Sequence, residues 1–323
     1  MNDSLKVLLL SNYEHLDYTH FFPNGKMRYG NIKYVTTPDN NIDAVVICNH
    51  SKEKVSVLVA PENIFHIHQE PGDKLYHGFM FNSVVGKKCG HLELCDIKSH
   101  PCLNWLVNKT YDELVSLNTD KDIVWPHKTE HFSAVISGHN ALPGHYQRLK
   151  MLDKILSQCD IALFGKRHNF IPDKWDALYP YKYSLAMENS SQHDYWTEKI
   201  MDCFLACTMP VYSGCSNIGK YFPKNSYIEL DINNINYSMK AMKEKIQGGF
   251  FEENYELIIE ARDLCLHKYA TSPAITDLVN NNITEHTKQT LTILPFKRSL
   301  TTDLKRKITR NKIAHWLADR NQN

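Results

Sequence analysis

The stretch Tyr181 to Asp231, YKYSLAMENSSQHDYWTEKIMDCFLACTMPVYSGCSNIGKYFPKNSYIELD, confines the chain to few architectures. Ser184 to Met187 reads as a short buried strand, and Glu188 to Asp194 as a loop of hydrogen-bonding side chains. A helix follows, with Asp194 as the expected N-cap, Glu198 and Lys199 in or just after its first turn, and Ile200, Met201, Phe204 and Leu205 as an apolar stripe. A return marked by Pro210 and Gly214 then leads into a second strand. Where a strand runs through a loop into a helix, free N–H groups and the positive end of the helix dipole attract anions. Lys199 would add a point charge for a diphosphate, and Asn189, Ser190 and Glu198 could bond sugar or ribose hydroxyls. A solvated loop before an ordinary amphipathic helix has the same spacing, so the residues alone leave both readings open.

Around this block the pattern alternates. Phe132 to Ser137 is expected as a strand, Gly144 to Gln158 as a helix and Ile161 to Phe164 as a strand, the order that gives a parallel sheet with crossover helices. Upstream, Lys6 to Leu10, Ala44 to Cys48, Val55 to Ala60, Ile64 to His68 and the region of Gly78 to Val85 read as short strands separated by Asn-, Asp-, Gly- and Pro-rich loops. The polar, aperiodic stretch Leu117 to Glu130 suggests a junction. The expected divisions are 1–125, 126–290 and a tail, 291–323.

With 323 residues, 42% hydrophobic and 23% charged, the chain can build two cores. A net charge of +1 leaves no general nucleic-acid footprint. Val7 to Leu10 is too short for a signal peptide or membrane anchor, and nine scattered cysteines fit buried thiols in a reducing compartment, so a cytoplasmic location is expected. Cys89, Cys95, His100 and Cys102 lack the spacing of structural zinc ligands, and no metal is expected. His66 and His68 share one strand face and are expected to line a cleft. From Pro295 onward the chain holds eight Lys or Arg against two Asp, with Leu300, Leu304, Ile308, Trp316 and Leu317 near helical spacing. Such a basic amphipathic helix can lie on an anionic membrane, and a helix packed on the protein is the equal alternative.

The central block resembles the donor motif of glycosyltransferase family 10, the α-1,3/1,4-fucosyltransferases. Tyr181, Lys182, Leu185, Glu188, Asn189, Ser190, Asp194, Tyr195, Thr197, Glu198, Lys199, Pro210, Val211 and Gly214 match as they stand. Met187 stands where Phe is usual, Trp196 where Val or Ile is, and Ser226-Tyr227-Ile228 replaces Ser-Phe-Ile. The resemblance covers most of the second half and little of the first. It implies an α/β chain of GT-B architecture, two Rossmann-like domains facing a cleft, the second holding the nucleotide, plus the C-terminal basic helix. It also implies an inverting transfer of L-fucose from GDP-β-L-fucose to a hydroxyl of a lipopolysaccharide- or capsule-type glycan, giving an α-fucoside of the α-1,3 kind, with no cofactor and no metal. Bacterial members often end in basic amphipathic tails, so the resemblance also implies an enzyme that acts on lipid-linked glycans at the inner membrane face.

Such a transfer needs a base for the acceptor proton. Glu70, in Gln69-Glu70-Pro71, resembles the family's base element, with Glu62 in reserve. Arg148, downstream of a stretch resembling Lys128, Phe132 and Ser137, matches the family's diphosphate-contacting Arg, so Arg148 and Lys199 would form a two-cation clamp. Asn189, Ser190, Tyr195 and Glu198 are the remaining donor-contact candidates, Tyr195 being also a candidate core aromatic. Gly165, Lys166 and Arg167 border either the nucleotide or a surface turn. Another GDP-sugar as donor, and a non-catalytic glycan- or membrane-binding module, are the alternatives.

Overall fold

The computed structural model describes residues 4–13, 16–67, 104–136, 143–165 and 168–295, the side chains of 143–147 excepted. Glu70, His68, the Gly78 to Val85 stretch, the Cys89 to Cys102 group, Ser137, Lys166, Arg167 and the tail 296–323 lie outside them.

Two compact units are present. The first comprises 1–105, 109–117 and 266–297, and the second 106–108, 118–265 and 298–323. In the first unit the strands β1 (Leu5–Ser11), β2 (Arg28–Tyr29), β3 (Ile32–Val35), β4 (Ala44–Cys48) and β6 (Ile64–Ile67) form a sheet in the order β2-β3-β1-β4-β6. Its β1, β3, β4 and β6 pairings are parallel, and β2 closes one edge antiparallel. All five residues of β4 are buried, as in a strand covered on both faces. Beside it, β5 (Val55–Val59) pairs antiparallel with β12 (Gln289–Ile293). Leu8, Leu10, Val45, Ile47, Val57, Val59, Ile64, Leu291 and Ile293 make one apolar cluster.

That pairing differs from the expected division at 290. Residues 266–290 return to the first unit, where the Thr276 and Tyr34 hydroxyls share a hydrogen bond and the Thr284 N–H donates to Asn63 Oδ1, and β12 follows against β5. The boundary at 117/118 falls at the start of the polar stretch singled out as a junction. Within that stretch Asp120 caps a short helix, Lys121–Val124.

The second unit holds β7 (Glu130–Val135), β8 (Ala162–Phe164), β9 (Tyr181–Met187), β10 (Met209–Ser213) and β11 (Ile228–Glu229). They form a parallel sheet in the order β11-β10-β9-β7-β8. The helix Pro143–Leu156 joins β7 to β8, and the helix Glu198–Leu205 joins β9 to β10. Because β8 lies on one side of β7 and β9 on the other, the direction of winding reverses between β7 and β9. In open parallel sheets, ligands settle outside the carboxyl ends of the strands at such a reversal.

The helix Glu198–Leu205 is not the one-sided helix expected. Ile200 through Leu205 are all buried, Asp202 included. Its underside packs through Phe204 onto Phe222, which in turn meets Trp196, with ring centroids 4.8 and 4.9 Å apart. A charged residue within so apolar a helix must have a partner inside the protein.

Candidate active site

The carboxyl ends of β7 and β9 open into a cavity of about 150 Å³. Val135, Ile136 and Met187 come from the strand ends, Arg148 from the crossover helix, Lys174 from the turn before β9, and Glu198 and Lys199 from the first turn of the motif helix. A smaller depression adjoins it, and Arg148, Glu188, Asn189, Ser190 and Gly214 are among the residues that line it. Thus Arg148, Asn189, Ser190, Glu198 and Lys199, far apart in part in the sequence, converge on one strand-end region. Tyr195 is buried behind it, and its hydroxyl donates to Asn189 Oδ1 at 2.9 Å. Glu62, in reserve as a base, belongs to the first unit, in the short 3-10 turn Pro61–Asn63.

The loop between β9 and the helix is built differently from expectation. The N-cap is Thr197, whose hydroxyl accepts from the Lys199 N–H; Asp194 caps nothing. Asp194 instead has a positive φ of 59°, and its carboxylate accepts from Asn217 Nδ2 at 2.6 Å and from the Tyr221 hydroxyl at 2.8 Å. Its backbone N–H donates to Asn217 Oδ1 at 2.7 Å. Aspartate tolerates the left-handed region better than most residues, so this short side chain can turn the chain and tie it to the segment after β10 at once.

Glu188 is the residue whose role sequence reasoning did not assign. Its side chain is fully buried, and Oε1 accepts from the Thr197 N–H and hydroxyl at 2.8 and 2.9 Å. The anion at the helix N-terminus is therefore the chain's own carboxylate, favourably placed against the helix dipole. Room for it depends on Gly214, where a Cβ would lie 2.4 Å from Glu188 Cγ.

Lys199 Nζ sits between two carboxylates, 3.1 Å from Glu188 Oε2 and 3.2 Å from Glu198 Oε1, and also donates to Thr197 Oγ1 at 2.9 Å. Burial works against its charge, but Glu188 and Glu198 outweigh burial and raise its pKa. Burial likewise would raise the Glu198 carboxyl, yet Lys199 and Lys174 hold it down to about 2. At Arg148 burial lowers the pKa, opposed by Glu188, Glu198 and Tyr195, and the guanidinium keeps its charge at neutral pH.

Two further charged residues belong to this region. Lys174 Nζ lies 2.7 Å from Asp202 Oδ2, and the other Asp202 oxygen accepts from the Leu106 N–H at 3.0 Å. Neither was singled out from the sequence. The signal available was Asp202, one acidic residue in the otherwise apolar run IMDCFL.

Lys128, which the motif comparison placed upstream of Arg148, lies at the other end of the sheet. Its ammonium donates to the Ala206 carbonyl and to Thr208 Oγ1, each at 2.8 Å, and burial lowers its pKa to about 7. The histidine pair was expected to line a cleft. His66 is buried instead, its Nε2–H donates to the Asn49 carbonyl, and burial lowers its pKa. Among the described residues no group of three or more His, Cys, Asp or Glu could hold a metal ion.

A parallel α/β unit with a reversal in strand order and charged side chains gathered at the strand ends defines a class of domains that bind ligands at that reversal. Residues 125–247 match the model of glycosyltransferase family 10 (fucosyltransferase), C-terminal domain, so this part of the chain carries that family's domain. Among curated proteins, 74 residues are 31% identical to the alpha-(1,3)-fucosyltransferase FucT of Helicobacter pylori, covering 23% of this chain and 16% of the relative. Another 125-residue match is 32% identical to human 4-galactosyl-N-acetylglucosaminide 3-alpha-L-fucosyltransferase 9, covering 37% of this chain and 34% of the relative. The matches thus span 16% and 34% of the length of these relatives. Among solved structures, an alpha1,3-fucosyltransferase superposes with a TM-score of 0.52 at 16% identity over 88% of this chain and 90% of the other. That likeness shows the fold, which is the expected GT-B α/β architecture.

Proposed function

We propose that the chain is an inverting glycosyltransferase that moves L-fucose from GDP-β-L-fucose to a hydroxyl of a glycan acceptor of the lipopolysaccharide or capsule type, forming an α-1,3-fucoside. The observation that carries this reading is the convergence of Arg148, Glu198 and Lys199 at the strand-end reversal, inside the segment that matches the family model.

In this reaction the acceptor oxygen attacks the anomeric carbon from the side opposite the nucleotide. The bond to the β-phosphate oxygen breaks, and the acceptor proton passes to a carboxylate. Negative charge grows on the departing diphosphate, and cations already in place stabilise it without reorganisation. Lys199 and Arg148 fill that role. Lys199 is held by Glu188 and Glu198 before any ligand arrives, so it needs little ordering to meet a phosphate oxygen. Glu198 and Asn189 offer acceptors to sugar or ribose hydroxyls, Ser190 a donor and acceptor, and Tyr195 orients Asn189. Glu70 is assigned as the base on its resemblance to the family's element. We assign no metal to the reaction.

We also place the enzyme in the cytoplasm, at the inner membrane face through 296–323. Among the described residues no helix is long and apolar enough to cross a membrane. Deleting 296–323 is expected to abolish vesicle binding while activity on a soluble acceptor persists.

The test of the activity is one incubation of the purified chain with radiolabelled GDP-fucose and lactosamine-type acceptors, alongside GDP titration by calorimetry. Label transfer to the acceptor and GDP binding are expected. Transfer from a different GDP-sugar would replace the donor, and no measurable affinity for GDP would end the proposal.

A further inference from the structure

Resting on that reading, we propose that Lys174 is a positioning residue for the donor site: anchored by Asp202, it keeps Glu198 a charged acceptor while Lys199 engages the incoming diphosphate.

Charge is partitioned among the groups packed at the cavity. Without ligand, Lys199 lies within 3.2 Å of both Glu188 and Glu198. A diphosphate that engages Lys199 competes with these carboxylates for the same ammonium. Glu188 keeps two donors of its own, the N–H and hydroxyl of Thr197, so it remains satisfied. Glu198, whose side chain is about four-fifths buried, would lose its nearest cation, and a carboxylate so placed takes up a proton more readily and ceases to be a pure acceptor. Lys174 lines the same cavity as Glu198 and is the second cation acting on it. Its other neighbour is Asp202, whose side chain has no exposed surface and whose second oxygen is taken by the Leu106 N–H. That anchor fixes Lys174 from behind and leaves it facing the cavity. The remaining charged groups around Glu198 are Arg148, which favours its ionised form, and Glu188 and Asp202, which oppose it.

Lys174→Met is expected to raise the GDP-fucose KM about tenfold at pH 7, with kcat changed less, and to move the acid limb of the pH–rate profile upward. Lys174→Arg should restore both. Because Lys174→Met leaves Asp202 unpaired, the double variant Lys174→Met/Asp202→Asn separates the two roles. Asparagine can still accept from Leu106 and needs no cation. If the double variant regains its thermal midpoint but keeps the high KM and shifted limb, Lys174 acts on the donor site. If it regains wild-type KM and profile, Lys174 serves only to pair Asp202, and the inference is overturned.

A readout independent of turnover is the 13C titration of the Glu198 carboxyl in glutamate-labelled protein, assigned with Glu198→Gln. It should titrate higher in Lys174→Met than in the wild type. An unchanged titration overturns the inference even if the wild type transfers fucose. Absence of transfer by the wild type defeats the proposed function and leaves the titration to decide on Lys174.

Discussion

Both units reverse their strand order beside their first strand, β1 in one and β7 in the other, yet the groups gathered at the two strand ends differ in kind. Beyond β1 and β4 the described hydrogen bonds join neutral side chains, Asn12, Tyr13, Asn49 and His66. Asn49, at a positive φ of 61°, donates through Nδ2 to Asn12 Oδ1 and to the Tyr13 hydroxyl, and its carbonyl accepts from His66. Beyond β7 and β9 sit Arg148, Lys174, Lys199, Glu188, Glu198 and Asp202, in alternating sign. The same topology thus presents hydrogen bonds at one end and compensated charge at the other. Topology locates a site, and side chains decide what it holds.

Three measurements would break or sharpen that contrast. The largest effect is expected from Lys199→Ala. Turnover of GDP-fucose should fall about 100-fold or more, as when a preformed charge-stabilising donor is lost. Stability should fall by about 3 kcal/mol, because Glu188 is left buried without its cation. Steady-state rates and denaturant titration check both, and a near wild-type rate would remove Lys199 from the clamp.

Next comes the neutral end, through pH. Burial depresses the folded-state pKa of His66, so the unfolded chain binds more protons just below the ordinary imidazole value of about 6.5. Stability is therefore full above that value and declines as pH falls through it. His66→Gln should flatten the decline in urea midpoints between pH 7.5 and 5. A wild-type midpoint that does not move over this range would show that His66 can charge in place.

The smallest effect is expected from Tyr195→Phe, which removes the bond to Asn189. Loss of about 1 kcal/mol in stability or in donor KM is anticipated. An unchanged KM with lowered stability would assign Tyr195 to packing alone.

Several elements were legible in the amino-acid order. Ala44 to Cys48 has the bounds read from its unbroken apolar run, and Val55, Ile64 and Ile161 fall within a residue of real strand starts. The helix Pro143–Leu156 starts one residue before and ends two before the reading from its periodicity. The motif block was legible because its residues match a known pattern over one continuous stretch. Asp194 was misplaced because aspartate suits an N-cap and a left-handed turn equally, and only Asn217 and Tyr221, two dozen residues on, decide between them. Residues 266–290 were given to the wrong side of the expected division, since nothing local in β12 names β5 as its partner.

Lys128 and Lys174 show the limit most clearly. Both are lysines of the second unit, Lys128 buried and Lys174 half-buried, and the amino-acid order treats them alike. Lys128 finds a carbonyl and a hydroxyl, and its pKa drops to about 7. Lys174 finds Asp202, and its pKa rises against the pull of burial.

By itself the chain's order determined where the longer apolar strands and the motif helix lie, and which titratable groups exist to be used. Those choices rest on side-chain volume, periodicity and caps within a few residues of one another. The tertiary structure alone decided which charges neutralise each other and which remain available to a ligand. Coulomb energy in a protein interior depends on distances through space and on exclusion of water, and neither is a property of neighbours along the chain.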